Sequence, residues 1–221
     1  MMRLVASLEN NINLPISYNR GIQGFIYSIA GDTFHDMEGF KGFTFSKIMG
    51  RFQIKDQRIV FLNSPVLVIS SFNDLAEKVF KNILISESIK LYNTDIKIKS
   101  AYLHIDEPEI DIFRTISPVT VYETHQRKTK YFSPDSPDFI RLIKENLIKK
   151  HMQFFNQEPG DFDFKVLKTK QKVLDRYKNT LIEAYDIVFS LTGDQNIRKL
   201  AYGTGIGAKN SQGFGCIEMG V

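Results

Sequence analysis

DIKIKSAYLHIDEPEIDIFRTISPVTVYET, residues 95–124, decides how the chain is divided. Residues 95–106 alternate apolar and polar side chains, as a half-buried strand does. Acidic residues and Pro108 then break the pattern, and residues 115–124 resume it as a second strand. A strand that ends, a junction and a strand that begins predict two domains, residues 1–110 and 111–221, meeting near Pro108.

Upstream, residues 2–8 read as a strand and residues 17–30 as a helix, because Ile22, Phe25, Ile26 and Ile29 fall at helical spacing on one face. Residues 43–70 read as a long hairpin, with Gly50 and the polar run Lys55, Asp56 and Gln57 near its turns, and residues 72–84 as an amphipathic helix. Downstream the order repeats: strand 115–124, helix 137–155, a hairpin of 161–174 with 180–191, a short helix 194–203 and a closing strand in GFGCIEM. Two successive βαββαβ patterns predict an α+β chain of tandem ferredoxin-like (RRM-like) domains, an architecture whose open sheets also serve RNA binders. Fold alone leaves the function open.

With 43% hydrophobic and 24% charged residues the chain has the composition of an ordinary globular protein. One cysteine, Cys216, excludes an internal disulfide framework and a multi-cysteine metal site. No apolar run approaches the ~20 residues of a membrane helix, so the expectation is a cytoplasmic protein with no membrane partner. Charge is uneven: residues 114–221 hold 17 Lys and Arg against 12 Asp and Glu, residues 1–113 hold 12 against 13. The second half is the better surface for a polyanion.

The densest motif is GTGIGAKNSQGFG, residues 203–215. Glycines this close together mark backbone with unusual dihedrals or a close approach of another backbone, which suits phosphate contact and equally a long turn before the last strand. It is no dinucleotide fingerprint, since it follows a helix and leaves no room for a βαβ unit, and Ala208 stands where a Walker A loop needs the glycine before Lys209.

GIGAKNSQGFG, from Gly205 to Gly215, resembles the glycine-rich signature of the RAMP superfamily, in the form found in the CRISPR-associated repeat-RNA endoribonucleases of the Cas-six family. YNRGIQGFIYSIAG resembles that family's first helix and TISPVTV the opening strand of its second domain. The resemblance implies tandem domains packed side by side, CRISPR repeat RNA held in the cleft and on the sheets, and cleavage without metal or other cofactor. It also implies a triad in the order Tyr, His, Lys, which falls here on Tyr27, His35 and Lys41, with Lys47 as the competing lysine.

Helical spacing puts Tyr27 off the core face, on one surface with Arg20, Gly24 and Gly31; an aromatic packed under the following loop is the plain alternative. His35 lies in a loop, where a histidine is solvated or capping as readily as catalytic. In the implied reaction a base takes the proton of the ribose 2′-hydroxyl, the oxygen attacks the scissile phosphate in line, and an acid protonates the departing 5′-oxygen. The ends are a 2′,3′-cyclic phosphate and a 5′-hydroxyl. His35 suits the base and Tyr27 the acid, with the two roles exchangeable, and Lys41 stabilises the phosphorane. His35, His104, His125 and His151 show no metal-ligand spacing.

RNA-holding candidates are Arg20, Arg127, Lys128 and Lys130, then Lys168, Lys170 and Lys172, and the loop residues Gly205, Gly207, Lys209, Gly213, Phe214 and Gly215. Phe214 is placed either to stack on a base or to pack the last strand. Two rival functions share these features: a non-catalytic repeat-RNA subunit of a CRISPR ribonucleoprotein, and a general single-strand RNA binder. An effector complex that receives the RNA is a further expected partner, and the chain is read as a monomer or homodimer.

Overall fold

The computed structural model describes residues 1–220 except Asp32, Thr33, His35, Asp106, Lys178 and Asn179, and not the side chains of Arg176 and Tyr177. The first half contains β1 (Met2–Leu8), β2 (Ile12–Pro15), α1 (Asn19–Ala30), β3 (Phe43–Phe45), β4 (Met49–Lys55), β5 (Arg58–Ser71), α2 (Leu75–Ser86), β6 (Ser88–Leu91) and β7 (Thr94–His104). The second contains β8 (Ile112–Thr115), β9 (Tyr122–His125), β10 (Lys128–Tyr131), α3 (Pro137–Phe155), β11 (Phe162–Tyr177), β12 (Thr180–Gly193), α4 (Gln195–Thr204), a 3-10 turn at Asn210–Gln212, and β13 (Ile217–Met219).

The two main sheets carry the same order. One runs β2-β5-β1-β7-β6, with β3 and β4 also on β5; the other runs β11-β12-β8-β13. In each, the first strand lies between the strand that ends the long hairpin and the last strand of that half, β1 between β5 and β7 and β8 between β12 and β13, which is ferredoxin-like topology. Each sheet buries its own core: Leu4, Leu14, Ile22, Phe45, Phe61 and Val79 among others in the first half, Phe113, Ile143, Phe164, Phe189 and Ile197 in the second.

Local chemistry explains the helices that matter below. Ser136 Oγ accepts the Asp138 N–H, Pro137 occupies the first turn, and left-handed Asn156 ends α3 by donating its N–H to Met152 O. Asp194 caps α4 by accepting from the N–H groups of Asn196 and Ile197 at 2.7 and 3.3 Å.

Residues 115–124 are not one strand. β8 stops at Thr115 and β9 starts at Tyr122, because Pro118 has no N–H to donate and Val119 and Thr120 turn aside to single bridges with Tyr185 and Ala208. The closing strand likewise shrinks to Ile217–Met219, since Gly213 and Gly215 take positive φ. The four-residue strands β2, β6, β9 and β10 are too short to leave a period in the sequence.

Candidate nucleic-acid interface

Helix α3 supplies the floor. Its buried face runs Phe139, Ile143, Leu147, Lys150 and His151, so a lysine occupies a core position. Lys150 Nζ donates to the carbonyl oxygen of Gly205 at 2.7 Å and to Asn210 Oδ1 at 2.8 Å. These bonds take up a carbonyl beyond the end of α4, where helices leave acceptors unpaired. Burial pushes the Lys150 ammonium down to about 7. Asn210 spends its own amide on the carbonyls of Ile206 and Phe214, both at 3.0 Å, so one lysine and one asparagine hold the glycine-rich loop shut.

The glycines have a matching reason. A Cβ on Gly205, at φ +79°, would sit 2.7 Å from Gly215 O; one on Gly215 would collide with Ile206 O; one on Gly213 would enter the Phe45 ring. The backbone that comes close is the protein's own, so the phosphate-cradle reading of these buried positions gives way to a packing one. Gly207, likewise buried, would place a Cβ 2.6 Å from Val119 Cγ2. Phe214 is fully buried with Ile182 and Ala184, its carbonyl accepting from Thr44 Oγ1 at 3.3 Å, so it has no face open to a base. The loop therefore joins the second half of the chain to β3 of the first.

The loop before β3 forms the opposite wall. Lys41 Nζ donates to the carbonyl oxygens of Phe34, at 3.1 Å, and of Met37, which bracket His35 in sequence. His35 itself lies outside the described residues. Tyr27 does not stand off the core: its ring, half-buried, packs against Phe34 at 5.9 Å and Phe43 at 6.0 Å between centroids. The segment after α1 folds back and gives the helix a second apolar neighbour that periodicity alone does not reveal. Tyr27 and Lys41 thus meet on Phe34, one on its ring and the other on its carbonyl. Arg20 is exposed at the far end of α1. Lys47 is engaged elsewhere, paired with Asp175 and lying beside the rings of Tyr18 and Phe214.

Between the walls lies a cleft of about 260 Å³ lined by residues 39–43, Asn146 and Lys150 of α3, Thr204 and residues 207–211. Among the described residues its lining includes Lys41, Lys150 and Lys209 and no carboxylate. Lys209 holds a left-handed conformation, φ +61°, and sets its ammonium 5.1 Å from the centre of the Tyr122 ring on β9. The cleft so adjoins the β9–β10 hairpin, where Arg127, Lys128 and Lys130 are exposed. Lys168, Lys170 and Lys172 stand exposed along β11, Lys172 in an ion pair with Glu183 at 2.6 Å. Lys150 is buried and spent on the loop, so Lys41 and Lys209, in a lining that holds no carboxylate among the described residues, are the two cations that suit the cleft to a phosphodiester.

A family model described as CRISPR associated protein Cas6, C-terminal, matches residues 104–219. The chain is 32% identical over 192 residues to the CRISPR-associated endoribonuclease Cas6 1 of Methanocaldococcus jannaschii, covering 83% of this chain and 75% of that one. The chain belongs to the Cas6 family. The Cas6 endoribonuclease of Pyrococcus furiosus is 24% identical across 99% of this chain and 89% of its own length. Among solved structures a CRISPR associated protein Cas6 superposes with a TM-score of 0.82 at 26% identity, covering 100% of this chain and 99% of the other. No helix among the described residues is long and apolar enough to cross a membrane.

Sequence reasoning misses Lys150, Asn146, Asn210 and Gln153. Lys150 did leave a signal: it falls seven residues after Ile143, on the apolar stripe of α3. Asn210 left none, because its work is with backbone carbonyls brought in by the fold.

Proposed function

We propose that this Cas6 protein binds CRISPR repeat RNA across the cleft and the basic strands of its second domain, and cuts it by attack of a ribose 2′-hydroxyl on the adjacent phosphate. Residues 1–110 act as the domain carrying the catalytic groups and residues 111–221 as the domain that holds RNA. The observation that carries the reading is the cleft itself, a lysine-lined, carboxylate-free gap with Lys41 on one wall and Lys209 on the other.

His35 takes the 2′-hydroxyl proton, the new 2′-O–P bond forms as the P–O5′ bond breaks, and Tyr27 delivers a proton to the departing oxygen. Lys41 exchanges its carbonyl partners for the phosphorane oxygens, where charge builds. Deoxyribose has no attacking group, so DNA binds without being cut. Lys168 and Lys170, with the β9–β10 cations, neutralise flanking phosphates.

The test is incubation in EDTA with repeat RNA from the protein's own source, beside His35→Ala and an RNA with one 2′-deoxy residue at the cut. Cleavage at one position, lost in both controls and leaving a cyclic phosphate, supports the reading. Tight, repeat-specific binding without cleavage replaces it with a non-catalytic RNA-binding subunit.

A further inference from the structure

The Lys41 loop is held by the other half of the chain. The Phe40 N–H donates to Gln153 Oε1 at 2.8 Å, and Gln153 Nε2 donates to Phe40 O at 2.8 Å, across 113 residues of sequence. One side-chain amide from the last turns of α3 thus pairs with both polar groups of one loop residue, as a neighbouring strand would. The sequence Gly39-Phe40-Lys41-Gly42 is cut to receive it. Gly39, at φ +76°, leaves open the space that Gln153 Oε1 fills, and Gly42, at φ +72°, has the Phe154 ring 3.0 Å from where a Cβ would stand. The Phe40 ring lies 5.6 Å from Lys150 Nζ, so the same helix turn faces both walls of the cleft.

We infer that Gln153 is a positioning residue for cleavage: it fixes the Phe40 backbone, and through it the direction of Lys41 and the loop carbonyls that Lys41 binds. The inference rests on the cleft being the cleavage site. Gln153 touches no RNA in this scheme, so it governs the rate of the chemical step and leaves affinity alone. A misplacement of about 1 Å is enough to slow a reaction ~100-fold, while repeat binding is spread over many phosphates.

The experiment compares wild type, Gln153→Met and Gln153→Glu by three readouts on the full chain. These are single-turnover cleavage of repeat RNA with protein in excess, RNA affinity measured with the 2′-deoxy repeat, and amide hydrogen exchange of the peptide spanning residues 39–43. Met keeps the volume and removes both hydrogen bonds; Glu keeps an acceptor for the Phe40 N–H but sets a carboxylate against its carbonyl. Both variants are expected to lose at least ~10-fold in rate, hold affinity within about twofold, and exchange the loop amides faster. An unchanged rate, unchanged exchange, or a loss confined to affinity overturns the inference while the proposed function stands. A wild-type protein that binds the repeat and never cuts it overturns both.

Discussion

Lys150 Nζ lies 2.8 Å from Asn210 Oδ1, and this bond, with the one to Gly205 O, ties the long helix at the floor of the cleft to the glycine-rich loop. In the unfolded chain the ammonium keeps its ordinary value of 10.5; in the folded one burial lowers it to about 7. Between those values the unfolded state holds a proton that the folded state does not, so stability rises with pH across that window. Below about pH 7 both states are charged and the cost of burial is felt in full. Urea midpoints are expected to increase from pH 6 to 9, and Lys150→Met to flatten that rise, while lowering stability at pH 9 by ~1–3 kcal/mol for the carbonyls it leaves unpaired.

Tyr27→Phe keeps the ring against Phe34 and Phe43 and removes only the hydroxyl. The melting temperature is expected to stay within a few degrees and single-turnover cleavage to fall roughly 100-fold or more, the usual contribution of a general acid. An unchanged rate assigns the acid elsewhere and leaves Tyr27 with packing alone.

Two changes in the glycine-rich loop separate packing from RNA binding. Gly215→Ala drives a Cβ into Ile206 O at φ +66° and is expected to destabilise by several kcal/mol, seen as lost soluble protein or a large fall in melting temperature. Lys209→Gly relaxes a left-handed position and deletes a cation, so the fold holds or gains while the slope of log affinity against log salt shrinks by about 1.

Phe214→Ala opens a cavity and is expected to cost ~3–5 kcal/mol. Phe214→Leu restores most of that stability, with repeat affinity equal to wild type in titration, because the ring is wholly enclosed. A base-stacking ring would lose affinity in both.

Lys168→Ala with Lys170→Ala removes two exposed charges from β11 that, among the described residues, lie in no ion pair. RNA affinity is expected to drop at all sequences alike and the salt slope by about 2, with unchanged melting.

The tandem fold was written plainly, because α3 carries an apolar stripe from Phe139 to Leu147 with a Ser-Pro-Asp start and because β11 and β12 are long enough to show their alternation. The glycine-rich loop was visible as a motif, but its role was not. Nothing in the letters says that Gly213 faces Phe45, or that Gly205 and Gly215 meet, since these partners are set by tertiary packing. The cleft shows the same limit. Lys41 stood out through family resemblance, whereas the Gln153 amide that grips its neighbour Phe40 looks on paper like any polar residue near a helix end.

The seating of Gly213 on Phe45, and of the Phe214 carbonyl on Thr44, makes the two halves of the gene dependent on each other. A hybrid taking its front half from one Cas6 relative and its back half from another inherits the two sides of that seam from different parents. Such a hybrid is expected to keep its fold where residues 43–46 and 203–215 come from one parent, two segments that lie more than half a chain apart in the sequence.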